Sequence, residues 1–144
     1  VAIIFIIGLI SICVLIHASG MWAGLHVLTK AARGLPERIS ALQGAGWLTA
    51  TVCALFFLHL MHSLVWAWCY RFFDLLPDFE TAVYFSATSY ATLGYGDVLL
   101  AEKWRILGPF EAVTGVLMFG WSTGALFLVA NKVNHLLQGR KNPS

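Results

Sequence analysis

Three long stretches with almost no formal charge limit what this chain can fold into. Val1–Leu28 and Ile39–Tyr70 hold no Asp, Glu, Lys or Arg, and Ile106–Ala130 holds one, Glu111. A helix of 25 to 30 such residues covers about 38–45 Å, enough to cross a hydrocarbon core about 30 Å thick. Charged residues make up 11% of the sequence, where a soluble domain carries about 25%. The expectation is an all-α membrane protein with three transmembrane helices. A cleaved leader is the rival for the first stretch, with Ala18-Ser19-Gly20 as its cleavage site. No basic segment precedes the apolar run, which favours a span. The sequence opens on Val1 and not on Met, so the native start stays open.

In chain order this predicts a first helix at 1–28, a linker at 29–46, an outer helix at 47–70, an inner helix at 106–130 and a tail at 131–144. Lys30, Arg33 and Arg38 make the linker basic, with Glu37 against them and Gly34 and Pro36 breaking it. Trp47, Trp66, Trp68 and Tyr70 lie toward the ends of the second apolar run, as aromatic belts do. Cys13, Cys53 and Cys69 all fall in apolar stretches and read as packed thiols. His59 and His62 share a helix face. Two histidines with no neighbouring carboxylate make a poor metal site, so packing or a buried hydrogen bond is expected of them. His17 and His26 are expected as packed or interfacial residues.

Between outer and inner helices, Pro77-Asp78 starts a short helix, with Asp78 placed to cap its free amides. Residues 79–91 give about three turns, too short to span, so this segment must enter the membrane and return. It leads into Thr92-Leu93-Gly94-Tyr95-Gly96-Asp97. Glycines so spaced permit positive φ at alternate positions, and alternating the hand of the backbone turns successive carbonyls the same way.

Residues 77–97, Pro-Asp-Phe-Glu-Thr-Ala-Val-Tyr-Phe-Ser-Ala-Thr-Ser-Tyr-Ala-Thr-Leu-Gly-Tyr-Gly-Asp, resemble the pore helix and selectivity filter of potassium channels. The stretch 46–130 resembles the small prokaryotic two-transmembrane pore family, with an extra helix in front of it. The resemblance implies a homotetramer in the cell membrane, with pore helix 79–91, filter 92–97 and a pore domain at 47–130. Carbonyls of Thr92, Leu93, Gly94 and Tyr95 would coordinate K⁺, as rings of backbone oxygens do in such filters. Gly96, Asp97, Thr88, Tyr84 and Phe85 would support the filter, the two aromatics packing against an outward-pointing Tyr95. Thr88 stands where some relatives carry Glu, and Leu93 where many carry Val. Glu111, costly in lipid, is expected to bond behind the filter to pore-helix hydroxyls such as Thr88 or Ser89, or to an indole; the alternative is a protonated, packed side chain. Aligning Arg105 with the family's arginine, after a one-residue gap, puts Val116, Phe119, Thr123 and Phe127 on the cavity wall and Gly115 at the hinge. Gly120 and Gly124 read as a close helix contact.

Charge gives an independent view of topology. Linker and tail hold Lys30, Arg33, Arg38, Lys132, Arg140 and Lys141 against Glu37. The segment between outer and inner helices holds Arg71, Lys103 and Arg105 against Asp74, Asp78, Glu80, Asp97 and Glu102. Positive-inside bias therefore puts linker and tail in the cytoplasm, with filter and N-terminus outside. The expected partners are lipid and further copies of the chain. The basic residues are scattered singly, which argues against nucleic acid, and no organic cofactor or enzymatic constellation is expected. The alternatives are a weakly selective cation channel and a non-conducting membrane subunit. No helix repeats arginine every third position and no ligand domain is visible, so the gating stimulus stays open.

Overall fold

The structure, a computed structural model, describes residues 2–32, 34 and 38–139. Its elements are α1 (Ala2–Ala32), α2 (Ala41–Phe72), α3 (Phe79–Tyr90), one 3-10 turn (Glu102–Trp104) and α4 (Leu107–Gln138), with no strand among the described residues. α1, α2 and α4 are each long and apolar enough to cross a membrane, and the fold is that of a multi-pass membrane protein. At about 18 Å, α3 is too short to cross.

Three helices differ from the expected bounds: α1 runs on to Ala32, past Leu28, and α2 and α4 are longer, each for a local reason. α2 begins at Ala41, ahead of Trp47, because Ser40 caps it. The Ser40 hydroxyl accepts from Gln43 N and the Gln43 side chain accepts from Ser40 N, a reciprocal capping box. α4 continues past Ala130 to Gln138 because Val133 is buried where α4 crosses the start of α2. A Cβ on Gly44 would lie 2.9 Å from the Val133 side chain, and Ile39 N donates to Leu136 O at 3.2 Å. α1 runs unbroken through Ala18-Ser19-Gly20. The linker break at Pro36, and the charges of Arg33, Glu37, Arg140 and Lys141, lie outside the described residues.

α2 is the hub, packed against α1, α3 and α4. The main core joins Ile6, Leu9 and Cys13 of α1 to Trp66, Ala67 and Tyr70 of α2, Ala82 and Phe85 of α3, and Leu100 and Leu107. Trp66 and Tyr70 are therefore core residues and not members of an interfacial belt; Trp68 is exposed. Cys13 and Cys69 are buried thiols, but Cys53 is exposed on α2. Gly120 and Gly124 have no neighbour within 4 Å of an added Cβ, so the close contact expected there is not made within this chain.

Candidate functional site

The site is built where α3 ends and the chain turns back. Asp78 starts α3 by accepting from Thr81 N and from the Thr81 hydroxyl, both at 2.8 Å. Those bonds, the backbone one first, hold its carboxyl below the usual carboxylate range. At the other end, Thr92 N donates to Ser89 O at 2.9 Å, while Leu93 N and Gly94 N both donate to Thr88 O at 2.8 and 3.2 Å. The last carbonyls of the helix thus anchor the first half of the loop.

Along the loop the backbone is left-handed at every second residue: φ is 62° at Thr92, 53° at Gly94 and 78° at Gly96. The two glycines adopt this freely. Thr92 does so at a cost of about 1–2 kcal/mol, against the three amide bonds that hold the turn. Residues 91–97 are all exposed. Lipid does not tolerate irregular backbone facing it, so at membrane depth this loop needs cover from other protein or water. A cavity of ≈ 340 Å³ lies beside it, bordered by Phe85, Ser89, Gly94, Tyr95, Gly108 and Pro109.

Asp97 closes the loop. Its Oδ2 accepts from the Tyr84 hydroxyl at 2.6 Å and its Oδ1 from Val98 N at 3.1 Å. Tyr84 therefore spends its hydroxyl on the carboxylate, and Tyr95 is exposed. Phe85 turns the other way, buried edge-on against Tyr70 at 5.2 Å between centroids. Thr88 spends its hydroxyl on the Tyr84 and Phe85 carbonyls of its own helix, both at 3.0 Å.

The Tyr84 bond pulls the Asp97 carboxyl below, and pushes the Tyr84 hydroxyl above, their ordinary values. A depressed folded-state value means that the bond is complete at neutral pH and is lost as pH falls through it. Tyr84→Phe should therefore move the low-pH loss of current, measured against pH on the loop side, upward toward the ordinary aspartate value of about 3.9. Unchanged midpoints would show that Tyr84 does not govern Asp97.

Glu111 is fully buried, and the α3 hydroxyl it meets is that of Ser86, not Thr88 or Ser89, with no indole among its partners. The Tyr70 hydroxyl donates to Oε2 at 2.6 Å, and the Ser86 hydroxyl contacts Oε1. Ser86 also lies 2.6 Å from the Ser63 carbonyl oxygen and 3.1 Å from the Ser63 hydroxyl. One carboxyl thus ties α4 to α2 and α3, one turn earlier on α3 than expected.

On α4, Gly115 is buried against the end of α3. A Cβ there would lie 2.0 Å from the Tyr90 carbonyl oxygen. That approach requires glycine whatever part the residue takes in gating. Val116, Thr123 and Phe127 are exposed in the isolated chain; Phe119 is exposed on one side while its ring packs against His59 and Tyr90.

His59 and His62 are indeed hydrogen-bonded, as expected, but His17 of α1 joins them. A separation of 42 residues in sequence hid that third histidine. Only the rotational setting of α1 against α2, which Cys13 and Ile6 fix in the core, brings it in. The capping box at Ser40 is legible in the sequence as Ser-x-x-Gln.

The Ion channel family model matches residues 52–131. No match was found among curated proteins or solved structures. The matched segment runs from α2 through α3 and the 92–97 loop into α4 and covers more than half of the 144 residues, so this chain belongs to the ion channel family.

Proposed function

We propose that the chain is a potassium-selective channel that conducts K⁺ passively as a homotetramer in the cell membrane. The observation that carries this reading is the alternating hand of the backbone at Thr92, Gly94 and Gly96. Repeated around a fourfold axis, it turns the carbonyls of Thr92, Leu93, Gly94 and Tyr95 inward as stacked rings that replace the water shell of the transported ion. The exposure of the whole loop supports assembly, because neighbouring copies supply the cover that one chain lacks.

Each neighbouring element then has a task. Asp97, held by Tyr84, fixes the outer end of the filter. Glu111 and Gly115 lock α4 against α3 so that the filter cannot widen. Val116, Phe119, Thr123 and Phe127 line the cavity below it, and Gly120 and Gly124 allow helices of adjacent copies to approach. Charge bias puts filter and N-terminus outside and the C-terminal end of α4 in the cytoplasm. The net −2 of the outer segment, multiplied by four, concentrates cations at the mouth.

The test joins assembly to activity. Native mass spectrometry of the purified chain should give a mass four times that of the chain. The same sample in liposomes loaded with K⁺ should release it, valinomycin absent, once a protonophore carries the balancing charge inward. A dimer, or liposomes that stay sealed to K⁺, would refute the proposal.

A further inference from the structure

The three histidines point beyond conduction. One nitrogen from each of His17, His59 and His62 lies within 4.8 Å of the others, with His17 and His62 buried and His59 half-buried. Their hydrogen bonds fix the protons in order. The Cys13 carbonyl can only accept, so His62 Nε2 carries the hydrogen across their 3.0 Å contact. Neutral His62 therefore accepts at Nδ1 from the Tyr90 hydroxyl at 3.2 Å. The Tyr90 oxygen then accepts from His59 Nδ1 at 3.1 Å, and His59 Nε2 accepts from the Ser122 hydroxyl at 3.0 Å. Ser122 in turn accepts from His17 Nε2 at 3.5 Å.

The chain of bonds ends at His17 Nδ1, which is buried with no partner. An unmet buried polar atom costs about 1–3 kcal/mol, and this one is a lone pair. Only His17 keeps a nitrogen with no partner; the lone pairs of His59 Nε2 and His62 Nδ1 are taken by the Ser122 and Tyr90 hydroxyls, which must turn away for those rings to ligate. The N–H of each ring is meanwhile held by a carbonyl or hydroxyl, His62 by Cys13, His59 by Tyr90 and His17 by Ser122, as outer-shell partners hold metal-binding histidines.

We infer that His17, His59 and His62 bind one transition-metal cation of the zinc class, tying α1 to the pore segment beside the last residue of α3. Three imidazoles suit Zn²⁺, Cu²⁺ or Ni²⁺ and not Mg²⁺ or Ca²⁺, which require carboxylate and carbonyl oxygen. No carboxylate belongs to the group, and the nearby buried acid, Glu111, is engaged by Tyr70 and Ser86. Tetrahedral zinc with bonds of about 2.0–2.1 Å sets its ligand nitrogens about 3.3 Å apart, closer than the 4.8 Å span of the cluster, so the rings must draw together to bind it. The fourth position falls to water or to the Tyr90 hydroxyl, which already touches His59 and His62.

The probe is Zn²⁺ itself, titrated calorimetrically into the chelator-stripped full chain in detergent. One Zn²⁺ per chain is expected, with a raised melting temperature. His17→Asn and His62→Asn should each weaken binding by at least about 100-fold, beyond the 10–100-fold that an outer-shell partner is worth. Both variants must elute at the wild-type position. His26→Ala and His135→Ala, at exposed residues of α1 and α4, should bind as wild type. Co²⁺ should give the intense visible absorption of a tetrahedral site. No binding, binding that survives both cluster variants, or loss with His26→Ala or His135→Ala would overturn the site. Zinc binding needs no K⁺ flux, so a chain that conducts but binds no zinc contradicts this inference alone. A chain that binds zinc but passes no K⁺ contradicts only the proposed function.

Discussion

Gly115→Ala is expected to abolish K⁺ flux while leaving the helical content of the chain intact. The added methyl would lie 2.0 Å from the Tyr90 carbonyl oxygen and 3.0 Å from its carbon, where ordinary contact begins at 3.4 Å, so α3 and α4 must separate by about 3.4 − 2.0 = 1.4 Å. Both atoms are backbone at a helix end and cannot rotate aside. Overpacking of this kind costs about 1–3 kcal/mol or more. The shift is delivered two residues before Thr92, which keeps its left-handed conformation only through the amide bonds to Thr88 and Ser89. Gly46→Ala is the control, because nothing lies within 4 Å of a Cβ at that position. Wild-type flux from Gly115→Ala would mean that the α3–α4 approach is looser than the structure has it.

Glu111→Ala carries the second large effect. It removes the acceptor of the Tyr70 hydroxyl and the partner of Ser86, both in fully buried surroundings, and leaves a cavity. Unsatisfied buried groups cost about 1–3 kcal/mol each and the cavity adds to that, so a loss of about 3 kcal/mol or more is expected. It should appear as a clear fall in the melting temperature of the purified chain. Glu111→Gln should stay within about 1 kcal/mol of wild type, since its carbonyl accepts from Tyr70 and its amide donates to Ser86. Ser86 is then free to donate to the Ser63 carbonyl. Equal melting temperatures for Glu111→Ala and wild type would show that the carboxyl does not join the three helices.

The sequence made some of this visible and hid the rest for definable reasons. Long uncharged runs give spans directly, because lipid admits few charges. Asp78 and the glycines at 94 and 96 announce a cap and a positive-φ loop through local chemistry alone. The extension of α4 to Gln138 was hidden because residues 131–138 look largely polar; Val133 and Leu137, which meet Gly44, face another helix there. The partner of Glu111 was right in kind and wrong in residue, since Ser86 and Thr88 lie on different faces of α3 and sequence does not give its rotation. The histidine cluster needed the packing of α1, which lies outside the matched family segment.

The bi-ionic reversal potential of the reconstituted chain tests selective conduction most directly. With Na⁺ replacing K⁺ on one side, the potential should move by about 59 mV for each tenfold change in K⁺, the Nernst slope for a monovalent ion. A reversal potential that stays near zero as Na⁺ replaces K⁺ would mean that the 92–97 loop does not distinguish the two ions.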